Sequence, residues 1–203
     1  MAEEDLAPGG IELTSPVWDA WRPGEIAERL AGVDAHWYVA GGWAIELFVG
    51  RPTRPHDDLE IGVAAGDFEA VRTALADHEF DVIGSGHRWP LDSPAFDRLH
   101  QTWARKDGVY RLDVFREPHD GDTWICRRDA ALRLPYTQII RHTPQAVPYL
   151  APEITLLFKA KAARPKDRAD LDVALPALTP VQRMWLRRQV GRLHPGHDWL
   201  DLF

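Results

Sequence analysis

The segment Trp37–Val63 constrains the fold of this chain more than any other part of the sequence. It begins with a short apolar run at 37–40, continues through Gly41-Gly42, and then has a helix-forming run at 43–49. Glycine lacks a Cβ atom, so a glycine pair lets the backbone turn from a strand into a helix. It also lets a phosphate approach the N–H groups at the helix start. The segment therefore predicts a strand, a glycine turn and a helix, in that order.

A pair of carboxylates follows a polar, proline-marked loop at 50–57 in the same segment, which we call the polar loop. Asp58 and Glu60 lie on either side of Leu59, at the start of a second predicted strand. Alternate residues of a strand point to the same face, so the two acids project together while Leu59 and Ile61 face the core. Paired carboxylates can hold divalent cations that bridge a triphosphate and an attacking hydroxyl. The pattern predicts a metal site suited to phosphoryl or nucleotidyl transfer.

The glycine pair followed by the acid pair resembles the core motif of the nucleotidyltransferase superfamily, which includes DNA polymerase beta and the antibiotic nucleotidyltransferases. Within it, GGWAIELFVGRPTRPHDDLEI at 41–61 is most similar to the aminoglycoside 2''-O-adenylyltransferase type. LAPEITLLFKAKAARPKDRADLD at 150–172 also resembles the C-terminal helical part of that family. The resemblance implies an α/β (α+β) fold, with a nucleotidyltransferase core of a mixed β-sheet flanked by helices. It places this core and its N-terminal helices at 1–148 and a helical region at 149–203.

Asp113 is the candidate for a third carboxylate. Two strand-like runs, 100–106 and 109–115, are joined at Asp107-Gly108, which is a strong hairpin signal. An acid inside an apolar strand is costly to bury unless it is paired or bound to a cation. The resemblance implies that Asp113 completes the Mg²⁺ site with Asp58 and Glu60 and acts as general base. The alternation of the strand also allows Asp113 to face solvent.

The resemblance implies a triphosphate held by several groups of the chain. The expected groups are the backbone of Gly41 and Gly42, an arginine of the polar loop such as Arg54, and a lysine of the C-terminal helix, either Lys159 or Lys161. Each cation also has a purely structural interpretation. Arg54 could be solvated or brace nearby acids, and the lysines could form a basic helix end.

Composition limits the other possibilities. The chain has 203 residues, 45% of them hydrophobic and 27% charged, which is typical of a globular protein. The net charge of −7 disfavours nucleic acid and is compatible with a cationic small substrate. The single Cys126, the lack of a long apolar run and the absence of a signal-peptide pattern predict a cytoplasmic location and no membrane contact.

The resemblance implies Mg²⁺-dependent transfer of a nucleoside monophosphate, AMP from ATP, onto a hydroxyl of a small-molecule acceptor such as an aminoglycoside. Three alternatives stay open at this point. The acceptor could be another small molecule or a macromolecule, such as tRNA or the partner of an antitoxin-like protein. The chain could bind nucleotide without turnover, or it could be an interaction module that uses some of its nine tryptophans.

Four further predictions concern connecting parts of the chain. Residues 1–10 are predicted to be a flexible leader, and Ser15-Pro16 is predicted to open a helix that runs to Trp21. The stretch 84–99, which is rich in glycine and proline, is predicted to be a long loop. Asp167 and Asp170 are predicted to be structural, with Arg164 or Lys166 as partners.

Overall fold

A computed structural model describes residues 8–203, so most of the predicted leader lies outside the described residues. The chain divides into two compact units, and each is built from two separate segments. Met1–Tyr38 and Asp57–Tyr136 form the first unit, and Val39–His56 and Thr137–Phe203 form the second. The proposed domain boundary between residues 148 and 149 stays a prediction.

The described chain mixes strands and helices up to Leu150 and is helical after it. The strands are β1 (Ile11–Glu12), β2 (Trp37–Val39), β3 (Glu60–Ala64), β4 (Glu79–Gly84), β5 (His87–Pro90), β6 (Gln101–Lys106), β7 (Val109–Glu117), β8 (His119–Asp120), β9 (Thr123–Ile125), β10 (Arg133–Pro135), β11 (Ile140–His142) and β12 (Pro148–Leu150). The helices are α1 (Pro23–Arg29), α2 (Gly41–Val49), α3 (Phe68–Ala74), α4 (Ala95–Arg98), α5 (Tyr136–Ile139), α6 (Pro152–Ala160), α7 (Pro165–Ala174) and α8 (Pro180–Leu193). The predicted mixed α/β class is confirmed.

The sheet of the first unit has the hydrogen-bonded order β1-β5-β4-β6-β7-β3-β2. Its centre is mixed, because β7 pairs in parallel with β3 and antiparallel with β6. Leu59 and Ile61 are fully buried on one face, as predicted, and Leu112 and Val114 of β7 are fully buried as well. A separate three-stranded sheet, β10-β9-β8, completes this unit.

The second unit contains α2 and the C-terminal helices. β12 pairs in parallel with β2 through Tyr149 and Val39, and antiparallel with β11. Helix α8 begins at Pro180, and Thr179 caps it. The Thr179 hydroxyl accepts a hydrogen bond from the Gln182 N–H at 3.3 Å, and the Gln182 side chain accepts one from the Thr179 N–H at 3.0 Å.

The predicted helix from Ser15 to Trp21 is wrong. This segment is extended beside β7, where the Tyr110 N–H donates to the Val17 carbonyl at 2.9 Å and the Asp19 N–H donates to the Tyr110 carbonyl at 3.0 Å. The Trp18 ring packs edge-on against the Trp103 ring, with 4.8 Å between their centroids. Pairing with a strand that is distant in sequence therefore overrides the local capping signal.

The predicted long loop at 84–99 is also wrong, because it contains β5 and α4. Strands β4 and β5 form a hairpin in which Gly84 lies opposite His87. The two turn residues between them, Ser85 and Gly86, both have positive φ, of 47° and 78°. A two-residue turn of this kind matches the twist of an antiparallel pair. The Ser-Gly pair was the local signal for this hairpin.

Candidate functional site

Two of the three predicted carboxylates, Glu60 and Asp113, lie on neighbouring strands of the first unit, and Asp58 lies just before the first of these strands. Glu60 of β3 is directly opposite Asp113 of β7, and the Asp113 N–H donates to the Leu59 carbonyl at 2.8 Å. Directly opposed residues of paired strands project their side chains to the same face. Asp58 precedes Glu60 by two residues, and both side chains are partly buried. We call these three residues the acid row.

Asp113 is the buried member of the acid row, which excludes the alternative that it faces solvent. Its side chain is only 3% exposed. Loss of hydration and the nearby charge of Glu60 raise the pKa of Asp113 well above its usual value, and Asp58 adds to this effect. The Gln101 side-chain amide donates to Asp113 Oδ2 at 2.6 Å, whereas Oδ1 is buried and has no hydrogen-bond partner among residues 8–203.

The acid row fits a divalent cation by its chemistry. Carboxylate oxygens are the ligands that Mg²⁺ prefers, and Asp113 Oδ1 is a buried acceptor without a donor. In the described part of the chain, no group of three or more His, Cys, Asp or Glu side chains already has the arrangement of a metal site. Metal binding by Asp58, Glu60 and Asp113 therefore stays a prediction, and it requires the three side chains to converge.

The glycine pair in the second unit has a conformational and a packing role. Gly41 has φ of +62°, a left-handed conformation that favours glycine, and it is the first residue of α2. A Cβ atom on Gly42 would lie 2.5 Å from His56 Cε1 and would also meet the Arg54 guanidinium. The absence of a side chain at Gly42 therefore lets the polar loop pack against the start of α2.

Gly42→Ala is expected to destabilise the protein by about 1–3 kcal/mol, because the added methyl group overpacks a site whose neighbours are held in place. Asp170 holds Arg54, with 2.9 Å between Arg54 Nε and Asp170 Oδ1. The His56 ring stacks on the Trp43 ring, with 4.4 Å between their centroids. The free energy of unfolding from urea titration is the measurement. Gly24→Ala is the matched control, since a Cβ atom there meets nothing within 4 Å. Equal stability of the two variants would contradict this packing account.

Glu46 of α2 organises the polar loop, and sequence reasoning missed this role. Its carboxylate accepts hydrogen bonds from the Thr53 N–H at 2.7 Å and the Arg54 N–H at 3.1 Å, and it lies 3.0 Å from His56 Nε2. Burial alone would raise the pKa of Glu46, but these hydrogen bonds outweigh it and lower the pKa. Glu46 thereby fixes the loop that presents Arg54.

Arg54 and Lys159 share one carboxylate in the second unit. Arg54 donates to both oxygens of Asp170, from Nε at 2.9 Å and from Nη2 at 3.0 Å, and Lys159 Nζ lies 2.7 Å from Asp170 Oδ2. The hydrogen bonds to Asp170 raise the pKa of Arg54. Lys159 also lies 3.2 Å from Asp167 Oδ1. Of the two candidate lysines, Lys159 is therefore inside an ion-pair network, whereas Lys161 is exposed.

The predicted ion-pair partner is confirmed for Asp167 of α7 and wrong for Asp170 of the same helix. Asp167 pairs with Arg164 at 2.8 Å, as predicted. Asp170 pairs with Arg54 and Lys159 rather than with Arg164 or Lys166, because its side chain is 1% exposed and faces inward from α7. Which of the two lysines contacts phosphate stays a prediction.

Asp170→Asn is expected to destabilise the protein by about 3–5 kcal/mol, because it removes the charge that Arg54 and Lys159 share and leaves Lys159 with Asp167 alone. The Lys159 side chain is only 9% exposed, so water replaces the lost carboxylate poorly. Chemical denaturation measures the effect. Asp172→Asn on the same helix is the matched control, because Asp172 pairs with Arg168 at the surface and such a pair contributes about 1 kcal/mol or less. A loss at Asp170 no larger than the loss at Asp172 would contradict the assigned role.

A mixed sheet that carries a carboxylate row, and a helix that begins at a glycine pair after a strand, define the nucleotidyltransferase class of fold. Two solved structures share the fold at 17% sequence identity. The solution structure of the antibiotic-resistance factor ANT(2'')-Ia has a TM-score of 0.52, covering 81% of this chain and 86% of its own. The lincomycin-bound lincosamide adenylyltransferase LnuA has a TM-score of 0.54, covering 77% and 95% respectively.

The chain belongs to the aminoglycoside-2''-adenylyltransferase family, a family of nucleotidyltransferase enzymes, whose model matches residues 24–173. Curated 2''-aminoglycoside nucleotidyltransferases from Escherichia coli and Klebsiella pneumoniae are each 30% identical to it over 78 residues. That match spans 37% of this chain and 43% of each relative, so less than half of the relatives' length is aligned. The range matched by the family model contains every predicted site residue.

No helix in residues 8–203 is both long enough and apolar enough to cross a membrane.

Proposed function

We propose that this protein transfers a nucleoside monophosphate, AMP from ATP, onto a hydroxyl of a small antibiotic-like acceptor. The acid row is the observation that carries the proposal, because it sets Glu60 directly opposite a buried Asp113 that has one unpartnered oxygen. A buried, unpaired acid beside other acids is costly for folding alone. A functional role would explain why Asp113 is nevertheless buried in a protein of a nucleotidyltransferase family: its carboxylate would bind a cation and accept a proton from the reacting hydroxyl.

Asp58, Glu60 and Asp113 are the residues that would hold Mg²⁺. Bound there, the ion would neutralise developing charge on the phosphates and orient them. Asp113 Oδ1 accepts the proton of the acceptor hydroxyl, since Oδ2 is already engaged by Gln101. The acceptor oxygen then forms a bond to the α-phosphorus while the bond from that phosphorus to the bridging oxygen breaks. The nucleoside monophosphate stays on the acceptor and pyrophosphate leaves.

The triphosphate is assigned to groups of the second unit. The N–H groups at the start of α2, after Gly41 and Gly42, suit anionic oxygens, and the planar guanidinium of Arg54 suits a phosphate. Arg54 and Lys159 both contact Asp170, so Asp170 would orient the two cations that bind the triphosphate. The exposed Lys161 is the alternative lysine.

An aminoglycoside is the proposed acceptor class on two grounds. The family is defined by 2''-adenylyl transfer to aminoglycosides, and the net charge of −7 suits a polycationic substrate. The fold alone does not fix the acceptor. A lincosamide or a macromolecular acceptor is therefore kept as an outcome of the test.

The test is pyrophosphate release from each of the four ribonucleoside triphosphates with Mg²⁺, against panels of aminoglycosides and lincosamides. The Asp58→Ala protein is the blank. Release that depends on an aminoglycoside, is greatest with ATP and is lost in the variant supports the full proposal. Release with a lincosamide alone corrects the acceptor. Nucleotide binding without release for any acceptor contradicts small-molecule transfer and points to a macromolecular acceptor or a non-catalytic role.

A further inference from the structure

Gln101 lies beside the acid row without belonging to any motif of the sequence. It is the first residue of β6 and lies opposite Phe115 of β7, two pairs away from Asp113. Phe115 and Asp113 are two residues apart on β7, so the Gln101 and Asp113 side chains share a face and are diagonal neighbours. The Gln101 side-chain amide donates to Asp113 Oδ2 at 2.6 Å.

We propose that Gln101 is a positioning residue, which fixes the Asp113 carboxylate so that Oδ1 faces the reacting groups. The proposal rests on the function proposed above and deepens it. A carboxylate can take a broad range of angles about its Cβ–Cγ bond unless a donor holds one oxygen. Gln101 supplies that donor to Oδ2, and Oδ1 is the atom left without a partner in residues 8–203.

The chemical type of this donor matters as much as its position. A lysine or arginine would also hold the carboxylate, but its positive charge would compete with a bound cation. A neutral amide holds one oxygen without cancelling the charge that attracts the metal. Against an ionised carboxylate only the NH₂ end of the amide can face Asp113, so the orientation of the glutamine is set by chemistry.

The surroundings of Asp113 leave one of its oxygens open. Trp103 lies directly opposite Asp113 on β6, and its indole N–H is a second neutral donor near the Asp113 carboxylate. Asp113 Oδ1 nevertheless has no partner at hydrogen-bond geometry among residues 8–203. A buried carboxylate oxygen is seldom left in that state, so Oδ1 is available to a bound group.

The decisive variant is Gln101→Met, which keeps the length of the side chain and removes the donor. We expect kcat to fall about 10- to 100-fold, as for other residues that orient a metal ligand, with KM for ATP changed less than about threefold. A second readout does not depend on turnover. The affinity for Mn²⁺, measured by electron paramagnetic resonance with a non-hydrolysable ATP analogue, should fall about tenfold.

Gln138→Met is the matched control, because Gln138 is exposed and should change neither readout. If Gln101→Met does not fold, judged by circular dichroism and thermal melting, Gln101→Leu replaces it. Wild-type kcat and Mn²⁺ affinity in a folded variant overturn the proposal. Loss of ATP affinity with unchanged kcat and Mn²⁺ affinity also overturns it. Failure of the wild-type protein to transfer nucleotide defeats the proposed function instead, and the Mn²⁺ readout still tests Gln101.

Discussion

Asp58→Ala is expected to reduce nucleotidyl transfer by at least about 10³-fold. Asp58 is the first acid of the row, and losing one metal ligand forfeits several kcal/mol of charge stabilisation in the transition state. Each 1.4 kcal/mol corresponds to about tenfold in rate. The side chain is only partly buried, so the free energy of unfolding should change by less than about 1 kcal/mol. Initial rates of pyrophosphate release and urea titration measure the two effects.

Asp57→Ala is the matched control for Asp58→Ala. Asp57 is the preceding residue and is exposed, so its side chain is expected to point away from the acid row. We expect Asp57→Ala to transfer nucleotide at nearly the wild-type rate while Asp58→Ala is inactive. That result would assign the loss of activity to Asp58 specifically. A folded Asp58→Ala protein that keeps a substantial part of the wild-type rate would exclude Asp58 as a metal ligand.

Asp113→Asn is expected to lower the rate and to raise the stability of the protein. Loss of the general base should cost about 10²- to 10⁴-fold in kcat. Without metal, the same change removes a buried acid that lies opposite Glu60 and has an unpartnered oxygen, which should stabilise the fold by about 1–3 kcal/mol. The asparagine carbonyl can still accept the Gln101 hydrogen bond, and its NH₂ group can donate towards Glu60.

Thermal melting with and without Mg²⁺ and a non-hydrolysable nucleotide separates these effects. The wild-type protein should gain more stability from the ligands than Asp113→Asn does, because only the wild type has the complete acid row. Ile139→Val, a change in a buried aliphatic side chain of the second unit, serves as a control for general effects on melting. An Asp113→Asn protein that is both less stable and fully active would refute the assigned role.

Local signals in the sequence were sufficient where a neighbouring residue supplies the physical cause. Asp107 and Gly108 both adopt positive φ, of 53° and 78°, as their hairpin signal requires. The D-x-E spacing also put Glu60 at the start of a strand, where it lies opposite Asp113, whereas a shared face for Asp58 and Glu60 stays a prediction. The same reasoning failed at Ser15-Pro16, where pairing with Tyr110 outweighed a helix cap.

The supporting contacts could not be predicted, because their partners are far apart in the chain. Arg54 and Asp170 are separated by 116 positions, and no local pattern links them. Gln101 and Asp113 are closer, at 12 positions, but their contact depends on the register of β6 and β7. That register includes a shift between Ala104 and Arg105, which a sequence pattern does not reveal.

The most direct test of the central claim is the fate of labelled phosphate. ATP labelled at the α-phosphorus and, separately, ATP labelled at the γ-phosphorus is incubated with Mg²⁺, the protein and an acceptor that supports pyrophosphate release. The account predicts that only the α label becomes covalently attached to the acceptor, in an amount equal to the pyrophosphate released, and that Asp58→Ala attaches none. Transfer of the γ label, or hydrolysis of ATP that leaves the acceptor unlabelled, would contradict nucleotidyl transfer at the acid row.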